Sequence, residues 1–282
     1  KGFPEEDLKN LDFIYTHAVA DEQPLRGVTP YPAILFSHGY LLTGPLDHTA
    51  ICEELASHGY IVAAVAHTYY TPQVLFPDGR KITPLPELYT RQTGPSADEQ
   101  RMWAEDVQCT LEHLMQYNAD EQDTFCNLLD FNRVGVIGHS MGGSTAYRLC
   151  MQDHRFKAGI SLDATPWSID KKVSELTKPF LFIFAEQSIE GLHATDEELA
   201  QKYNMDVAVV RSFREISQQE AREDVVIPEL MHGGFTDLLL LKELPVYRNN
   251  KHIFDIEAMI GTAEGHSTIQ LINKHIVDFF DI

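Results

Sequence analysis

Short apolar runs alternate with longer amphipathic segments along most of the chain. The runs predict buried strands, and the segments, in which apolar residues recur every three or four positions, predict helices. This alternation is typical of an α/β fold, a mostly parallel central sheet with helices on both faces. The predicted strands are Ala33–Ser37, Tyr60–Ala66, Arg133–Gly138, Lys157–Leu162, Pro179–Ala185 and Val225–Leu230, and the predicted helices are Thr49–His58, Ala97–Tyr117, Gly143–Gln152 and Ala263–Phe280.

Two insertions interrupt the alternation. The segment Thr68–Pro95 is rich in proline and aromatic residues and predicts a long irregular loop, a feature that usually serves a function. The segment Gln187–Asp224 is charged and helix-prone, and we expect it to cap or flank one end of the sheet. Neither has the composition of a flexible linker, so we interpret residues 1–282 as one domain with insertions near 68–95 and 187–224. Pro228 cannot donate to a β-ladder, which predicts that the last strand lies at an edge.

Composition narrows the range of partners. The chain has a formal net charge of −20 at pH 7, which repels nucleic acid and anionic membrane surfaces but leaves neutral or zwitterionic substrates open. No apolar run approaches the roughly 20 residues that span a bilayer, so we expect no stable membrane insertion. The sequence fits a soluble protein, cytoplasmic or secreted with its signal peptide removed, and it does not choose between these compartments or fix an oligomeric state.

The cysteines indicate neither metal nor redox chemistry. No CxxC pair is present, and no Cys or His has the spacing of a zinc site. Cys52, Cys109 and Cys150 lie in predicted helices, where we expect buried free thiols, although one disulfide stays open. We therefore expect no metal and no organic cofactor.

The strongest chemical signal is the segment Gly138–Gly142, whose sequence GHSMG matches the pattern G-x-S-x-G. The apolar strand Val134–Ile137 directly precedes it, and a helix that starts with small residues follows. In a strand–turn–helix setting this motif holds a nucleophilic serine on a strained turn, with its hydroxyl above the sheet. The helix N-terminus also directs free N–H groups toward the position of an oxyanion. We therefore predict that Ser140 is the nucleophile.

An oxyanion that forms at this serine needs two backbone N–H donors. One is expected from the residue after the nucleophile, Met141, and the other from the loop after an early strand. The segment Ser37–Tyr40 occupies that place, so Tyr40 is the second predicted donor. Each donor would lower the barrier by about 3–4 kcal/mol. We interpret His38 as a brace of this loop and His139 as packing beside the serine.

The acid and the base of a triad should follow the nucleophile in the order Ser, acid, His. Asp163 and Glu186 each end a predicted strand, and both are candidate acids. Asp163 is favoured because its small-residue turn can hold it buried. His232 is the favoured base, since two glycines after it allow a tight loop that could bring the imidazole over the serine. Weaker candidates for the base are His266, at the start of the last helix, and His193 and His275, which we expect on the surface.

Five segments in chain order resemble the platelet-activating-factor acetylhydrolase family: ILFSHGY, ELASHGYIVAAVAHT, RVGVIGHSMGGSTA, KAGISLDA and MHGGFTD. The resemblance runs from about Tyr31 to Leu241 and is weakest in the two insertions. It implies an α/β-hydrolase fold and calcium-independent release of short or oxidised acyl chains from phospholipids. It also implies the same site residues: Ser140, Asp163 and His232 in the triad, and Tyr40 and Met141 in the oxyanion hole.

Residues and resemblance together predict a serine carboxylic-ester hydrolase that releases short acyl chains from phospholipid-like or small esters through an acyl-enzyme. Two alternatives stay open: a polyester- or dienelactone-type esterase of the same fold, and a ligand-binding homologue with low turnover. We expect the substrate pocket to be lined by Leu41, Leu42 and Trp167, while the loop aromatics Tyr69, Tyr70 and Phe76 fit pocket or core equally well.

Overall fold

The apolar runs form the strands of one sheet, and the amphipathic segments form helices that cover it. The computed structural model describes residues 16–91, 95–164, 176–192, 194–202, 207, 210–211, 222–250 and 256–281. No helix within these ranges is long and apolar enough to cross a membrane.

The sheet has six parallel strands in the described part of the chain, and a separate antiparallel hairpin adds two short ones. The strands are β1 (Tyr31–Ser37), β2 (Ile61–Val65), β3 (Val74–Leu75), β4 (Lys81–Ile82), β5 (Leu129–His139), β6 (Phe156–Leu162), β7 (Phe180–Ala185) and β8 (Arg222–Ile227). Their order across the sheet is β2-β1-β5-β6-β7-β8. The chain runs outward from β1 to β2 and returns to β5 on the other side of β1. Open sheets of this kind bind ligands beyond the carboxyl ends of the strands at such a reversal.

Helices cover both faces of this sheet. The helices are α1 (Thr49–Ser57), α2 (Pro86–Thr90), α3 (Ala97–Ala119), α4 (Met141–Gln152), α5 (Glu186–Leu192), α6 (Asp196–Lys202), α7 (Leu238–Leu241), α8 (Pro245–Asn250), α9 (Glu257–Ile260) and α10 (Gly265–Phe280). Helices α1 and α10 pack on one face, and α3 and α4 pack on the other. The predicted mostly parallel sheet with helices on both faces is therefore confirmed.

Strands β1, β2, β5, β6 and β7 contribute side chains to two separate cores. Along β1, Ile34 and Phe36 join the core beneath α1 and α10, whereas Leu35 joins the core beneath α3 and α4. Successive side chains of a strand point to opposite faces, so a continuous apolar run fills both. Full burial of each such side chain contributes roughly 1.5–3 kcal/mol.

Several predicted boundaries were wrong, and the strand predicted from Arg133 begins at Leu129. Helix α4 begins at Met141 instead of Gly143, because the backbone turns into the helix directly after the serine. Strand β8 ends at Ile227, whereas the predicted strand ran to Leu230. Strand β8 lies at an edge of the described sheet, as predicted. Pro228 follows the strand, so its missing N–H does not explain the edge position.

The first insertion, Thr68–Pro95, was predicted as an irregular loop, but it holds the β3–β4 hairpin and helix α2. The hairpin closes through a hydrogen bond from the Phe76 N–H to the Arg80 carbonyl at 2.9 Å, and Gly79 adopts a φ of +85° in the turn. Within the second insertion, Gln187–Asp224, the described residues form most of α5, all of α6 and the start of β8.

All four cysteines are free. Cys150 is buried in the core beneath α4, and Cys52 is half-buried. The expectation of a buried thiol was wrong for Cys109, which is exposed. Helix α3 buries Val107 and Leu111. Cys109 lies two positions after Val107, so it points to the opposite side of the helix.

Glycine residues allow α4 to approach β1 closely. A Cβ atom added at Gly142 would lie 2.0 Å from the Ser37 carbonyl oxygen, and one added at Gly138 would lie 2.2 Å from the Gly142 carbonyl carbon. Real Cβ atoms do not approach other atoms this closely, and backbone atoms cannot move aside as a flexible side chain can. Glycine at both positions is what allows the helix to start against the sheet.

We expect Gly142→Ala to lower the free energy of unfolding by an amount at or above the upper end of the roughly 1–3 kcal/mol that overpacking costs. The measurement is the urea midpoint of purified protein. Gly27→Ala is the matched control, since the Tyr31 hydroxyl and the Thr29 carbonyl oxygen, the nearest atoms to its added Cβ, lie at 3.0 and 3.1 Å, much farther than the 2.0 Å at Gly142. Equal midpoints for the two variants would contradict the close packing.

Candidate active site

Ser140 lies in the tight turn between β5 and α4. Its backbone has φ 55° and ψ −121°, a strained conformation for a residue with a side chain, of the kind that costs about 1–3 kcal/mol. The Ser140 N–H donates to the Leu162 carbonyl at 2.8 Å, which ties the turn to the end of β6. The serine therefore lies at the carboxyl edge of the sheet, next to the reversal of strand order.

Three side chains from distant segments meet at this edge. The Ser140 Oγ lies 2.9 Å from Nε2 of His232, and Nδ1 of the same ring lies 2.6 Å from Oδ2 of Asp163. The structure therefore brings together the three residues predicted as a triad. The His232 side chain is 42% exposed, whereas the Asp163 side chain is 1% exposed.

Asp163 is held by hydrogen bonds from several directions. Its Oδ1 accepts from the Ala185 N–H at 2.9 Å, and its Oδ2 accepts from the Ser188 hydroxyl at 2.8 Å. Its own N–H donates to the Ile183 carbonyl at 2.8 Å, with a backbone φ of 52°. A buried carboxylate is stable only when its oxygens are satisfied in this way, so the acid faces His232 in a fixed orientation.

The loop that carries His232 is fixed by two buried histidines. His139 Nε2 lies 2.9 Å from the His232 carbonyl oxygen, and His48 Nδ1 lies 3.0 Å from the Phe235 carbonyl oxygen. Carbonyl oxygens only accept, so each ring nitrogen carries a proton and donates. Burial lowers the pKa of His48 to about 4 and holds the pKa of His139 well below its usual range. Both act as neutral donors. His139 was expected only to pack beside the serine, and the structure shows that it also donates a hydrogen bond to the His232 loop.

The glycines after His232 allow the chain to pass close to α9. A Cβ added at Gly234 would lie 2.6 Å from the Ile260 carbonyl oxygen, and one added at Gly233 would lie 2.9 Å from the Met259 carbonyl oxygen. The Met231 N–H donates to the Ile260 carbonyl at 3.2 Å. The predicted tight loop is present, and packing against α9 determines its path.

The backbone N–H groups of Tyr40 and Met141 have no acceptor in the described part of the chain. Met141 is the first residue of α4, where the helix dipole adds positive potential. The Tyr40 loop is held by a bond from the Gly39 N–H to Thr43 Oγ1 at 2.9 Å and by another from the Leu41 N–H to the Tyr70 carbonyl at 2.8 Å. These are the two donors predicted for an oxyanion hole, and their role stays a prediction.

The Tyr40 side chain is anchored by a carboxylate. Its hydroxyl lies 3.4 Å from Oε1 of Glu99, whose carboxylate accepts two bonds from Arg91 at 2.6 and 2.9 Å. Burial raises the pKa of Glu99, but hydrogen bonds from Arg91 and Ser96 outweigh it and lower this pKa to about 2. Glu99 is therefore ionised and gives the tyrosine a fixed acceptor.

A cleft of about 290 Å³ opens at Ser140. Of the predicted pocket residues, Leu42 lines it and is 69% exposed, whereas Leu41 is 8% exposed and does not line it. Trp167 lies outside the described residues. Tyr69, Tyr70 and Phe76 do not line the cleft either; its walls are formed by Gly39, Tyr40, Leu42, Thr43, His139, Ser140, Gln187, Met231, His232, Gly233, Thr236, Leu238, Ala258 and Met259.

The alternative acid and base occupy other positions. Glu186 is exposed, and its Oε2 accepts from the Glu229 N–H at 2.8 Å, so it braces the segment that leads to His232. His266 is exposed in the first turn of α10. His193 lies outside the described residues, and His275 is half-buried on α10.

Sequence reasoning missed Ser188, Ala258 and Met259. Ser188 lies on α5, where nothing in the charged pattern distinguishes it, and the other two lie on α9, a helix of four residues that was not predicted. Only the folded chain brings them to the site. Among the described residues, no group of three or more His, Cys, Asp or Glu side chains could hold a metal ion.

Known families and proteins match this chain in several ways. Residues 88–204 match the PET hydrolase-like family, and residues 13–71 match platelet-activating factor acetylhydrolase, isoform II. A platelet-activating factor acetylhydrolase from Cavia porcellus is 27% identical over 277 residues, 91% of this chain and 58% of that protein. The chain thus spans less than two thirds of the length of this curated relative.

Two further relatives extend the comparison. Cutinase est2 from Thermobifida alba is 31% identical over 157 residues, which cover 55% of this chain and 41% of the cutinase. The solved structure of a ferulic acid esterase from Streptomyces cinnamoneus has a TM-score of 0.71 and 25% identity, over 96% of this chain and 72% of that chain. Fold and sequence agree: the chain belongs to the α/β-hydrolase superfamily, in which it is related to the platelet-activating-factor acetylhydrolases.

Proposed function

We propose that the chain is a serine carboxylic-ester hydrolase in which Ser140, His232 and Asp163 form a catalytic triad. The observation that carries this proposal is the continuous chain of contacts from Ser140 Oγ through the His232 ring to Asp163, at 2.9 and 2.6 Å, beside an open cleft. Relatives named acetylhydrolase, cutinase and ferulic acid esterase support ester cleavage.

The proposed reaction begins with attack by Ser140 Oγ on the ester carbonyl carbon. Nε2 of His232 takes the serine proton as the new C–O bond forms, and Asp163 stabilises the imidazolium through its contact with Nδ1. The carbonyl oxygen becomes an oxyanion and accepts hydrogen bonds from the Tyr40 and Met141 N–H groups. The tetrahedral intermediate then collapses, and the leaving alcohol takes the proton from Nε2.

The acyl-enzyme that remains is an ester of Ser140. Water enters beside the half-exposed His232 ring, which takes one of its protons while the water oxygen attacks the acyl carbon. A second oxyanion forms at the same two N–H groups. Its collapse breaks the bond to Ser140 Oγ, which regains a proton from His232, and the carboxylic acid leaves.

The cleft supports small acyl groups as the substrate class. Its volume of about 290 Å³ lies just below the roughly 300–1,000 Å³ usual for small-molecule sites, and Leu42, Leu238, Ala258 and Met259 give it apolar walls. Phospholipid-like or small esters with short acyl chains fit these dimensions. The match of residues 88–204 to the PET hydrolase-like family favours a second candidate, a polyester hydrolase, because that segment includes Ser140 and Asp163.

Ser140→Ala should leave the fold intact and lower kcat by roughly 10⁴-fold or more, since no other group can form the acyl-enzyme. The measurement is hydrolysis of p-nitrophenyl acetate, with circular dichroism to check folding. Ser161→Ala is the matched control: this hydroxyl lies buried on β6 without a hydrogen-bond partner among the described residues, so activity should persist. Wild-type turnover by Ser140→Ala would refute the nucleophile.

Asp163→Asn should lower kcat by about 10³- to 10⁴-fold, because an amide facing Nδ1 stabilises the wrong tautomer of His232. Glu186→Gln is the matched control, since its amide oxygen can still accept from the Glu229 N–H. Steady-state kinetics on both variants separate the two candidate acids. A strong loss at Glu186 with activity retained at Asp163 would move the acid to the later strand.

Short acyl chains should be preferred over long ones. We expect kcat/KM for nitrophenyl acetate or butyrate to exceed that for the palmitate ester by at least about 10-fold, because the palmitoyl chain is too large for the cleft and would have to displace its walls. Met259→Ala, which widens the cleft, should narrow this ratio, whereas Leu75→Ala on the hairpin should not.

A phospholipid with a short second acyl chain and a terephthalate diester, assayed side by side, distinguish the two candidate functions. Faster turnover of the terephthalate diester would favour the polyester hydrolase. Failure of a fluorophosphonate to label Ser140 would favour a ligand-binding homologue instead.

A further inference from the structure

A second Ser–His–Asp chain of hydrogen bonds lies beneath the Tyr40 loop. Ser37 Oγ lies 2.9 Å from Nε2 of His67, and Nδ1 of His67 lies 2.8 Å from Oδ2 of Asp106. Ser37 and His67 are both 0% exposed, so no substrate reaches this serine. These three residues therefore cannot act as a second catalytic triad, and their function must lie in the neighbouring groups that they hold in place.

The groups at the ends of this series of hydrogen bonds determine which atoms donate and which accept along it. The Asp106 carboxylate accepts, so His67 Nδ1 carries the proton and His67 Nε2 accepts from the Ser37 hydroxyl. The His67 backbone N–H donates to Nε2 of His38 at 3.1 Å, which leaves the His38 proton on Nδ1. Burial lowers the pKa of both rings, so both are neutral.

His38 Nδ1 donates in turn to the Gly39 carbonyl oxygen at 2.7 Å. That carbonyl and the Tyr40 N–H belong to the same peptide unit. In a planar trans peptide the C=O and the N–H point in opposite directions, so the bond from His38 determines where the Tyr40 N–H points. Glycine at position 39 would otherwise let this peptide rotate readily.

Packing keeps water away from these bonds. The His67 ring stacks on the Trp103 ring with centroids 3.8 Å apart, and the His38 ring meets the same indole edge-on at 5.1 Å. Trp103 and His38 are both 0% exposed. With no water to replace the His38 donor, its loss would leave the Gly39 carbonyl without this partner.

We propose that His38 is a positioning residue of the oxyanion hole. Its bond to the Gly39 carbonyl directs the Tyr40 N–H toward the oxyanion. The His67 backbone N–H keeps His38 in the tautomer that can donate, and the Ser37–His67–Asp106 hydrogen bonds hold His67 in the position from which it does so. This inference rests on the proposed function. Since the Tyr40 N–H stabilises charge that exists only in the transition state, losing its orientation lowers kcat and leaves KM nearly unchanged.

Two substitutions of His38 test the proposal. His38→Leu should lower kcat per active site roughly 10- to 100-fold, part of the 10²–10³-fold effect of losing a whole donor, with KM changed less than about 3-fold. His38→Asn, whose amide can donate to the Gly39 carbonyl, should recover most of this loss. Active sites are counted by fluorophosphonate labelling taken to its end point.

The inhibition constant of a trifluoromethyl ketone is a measurement that would not change if His38 had a purely structural role. Its adduct with Ser140 carries an oxyanion, so the inhibition constant for His38→Leu should rise by the same factor by which kcat/KM falls. Ile276→Ala is the stability control: it opens a cavity beneath α10 on the other face of the sheet and should lower Tm without changing kcat per labelled site. A His38→Leu variant that behaves like Ile276→Ala would overturn the proposal.

Asp106→Ala keeps the test decisive if His38→Leu does not fold, because the Asp106 side chain is 42% exposed at the outer end of the chain. We expect kcat to fall, by no more than the roughly 10- to 100-fold loss expected for His38→Leu, because this carboxylate acts on the Tyr40 N–H only through His67 and His38. An unchanged kcat would contradict the proposal. If the wild-type protein shows neither esterase activity nor labelling of Ser140, both the proposed function and this inference are wrong. If the wild-type protein is active and His38→Leu has the same kcat per labelled site, only this inference is wrong.

Discussion

The close approach of α4 to the end of β1 is the contact on which the rest of the site depends. Gly142 meets the Ser37 carbonyl with no room for a Cβ, and Gly138 meets Gly142 in the same way. This contact allows the chain to leave β5, turn through the strained backbone of Ser140 and enter a helix within one residue. Because β1 runs directly into the Tyr40 loop, the same contact sets the separation between the Tyr40 and Met141 N–H groups.

Much of this arrangement could be predicted because it follows from local rules and from one property of parallel sheets. The strand–turn–helix setting identified Ser140, and the chain order of acid and base pointed to Asp163 and His232. The carboxyl ends of parallel strands meet at one edge, so residues that follow different strands can meet although 92 positions separate Ser140 from His232. The hydrogen bonds that hold Asp163, above all from Ser188, depend on where α5 lies and leave no trace in the pattern of polar and apolar residues.

The pocket was harder to predict because backbone conformation decides which way neighbouring side chains point. Leu41 and Leu42 are equally apolar and adjacent, and both were expected to line the cleft. Leu41 adopts a φ of 62°, and its N–H is held by the Tyr70 carbonyl. The residue is buried there, while Leu42 stays exposed at the cleft. A positive φ at a leucine is rare, and composition gives no sign of it.

Two Ser–His–Asp chains in one molecule show that residue types and distances do not by themselves define a catalytic group. The distances are nearly the same, but Ser37 lies at 0% exposure, whereas Ser140 and the half-exposed His232 ring line an open cleft. Four buried histidines surround this site, and each offers one donor and one acceptor in a rigid ring. Burial lowers the pKa of every one of them, which favours the neutral ring. The orientation of the His232 loop and of the Gly39–Tyr40 peptide is thus fixed by buried, neutral rings, which leaves the proton transfers of the proposed reaction to His232, whose Nε2 lies 2.9 Å from Ser140 Oγ.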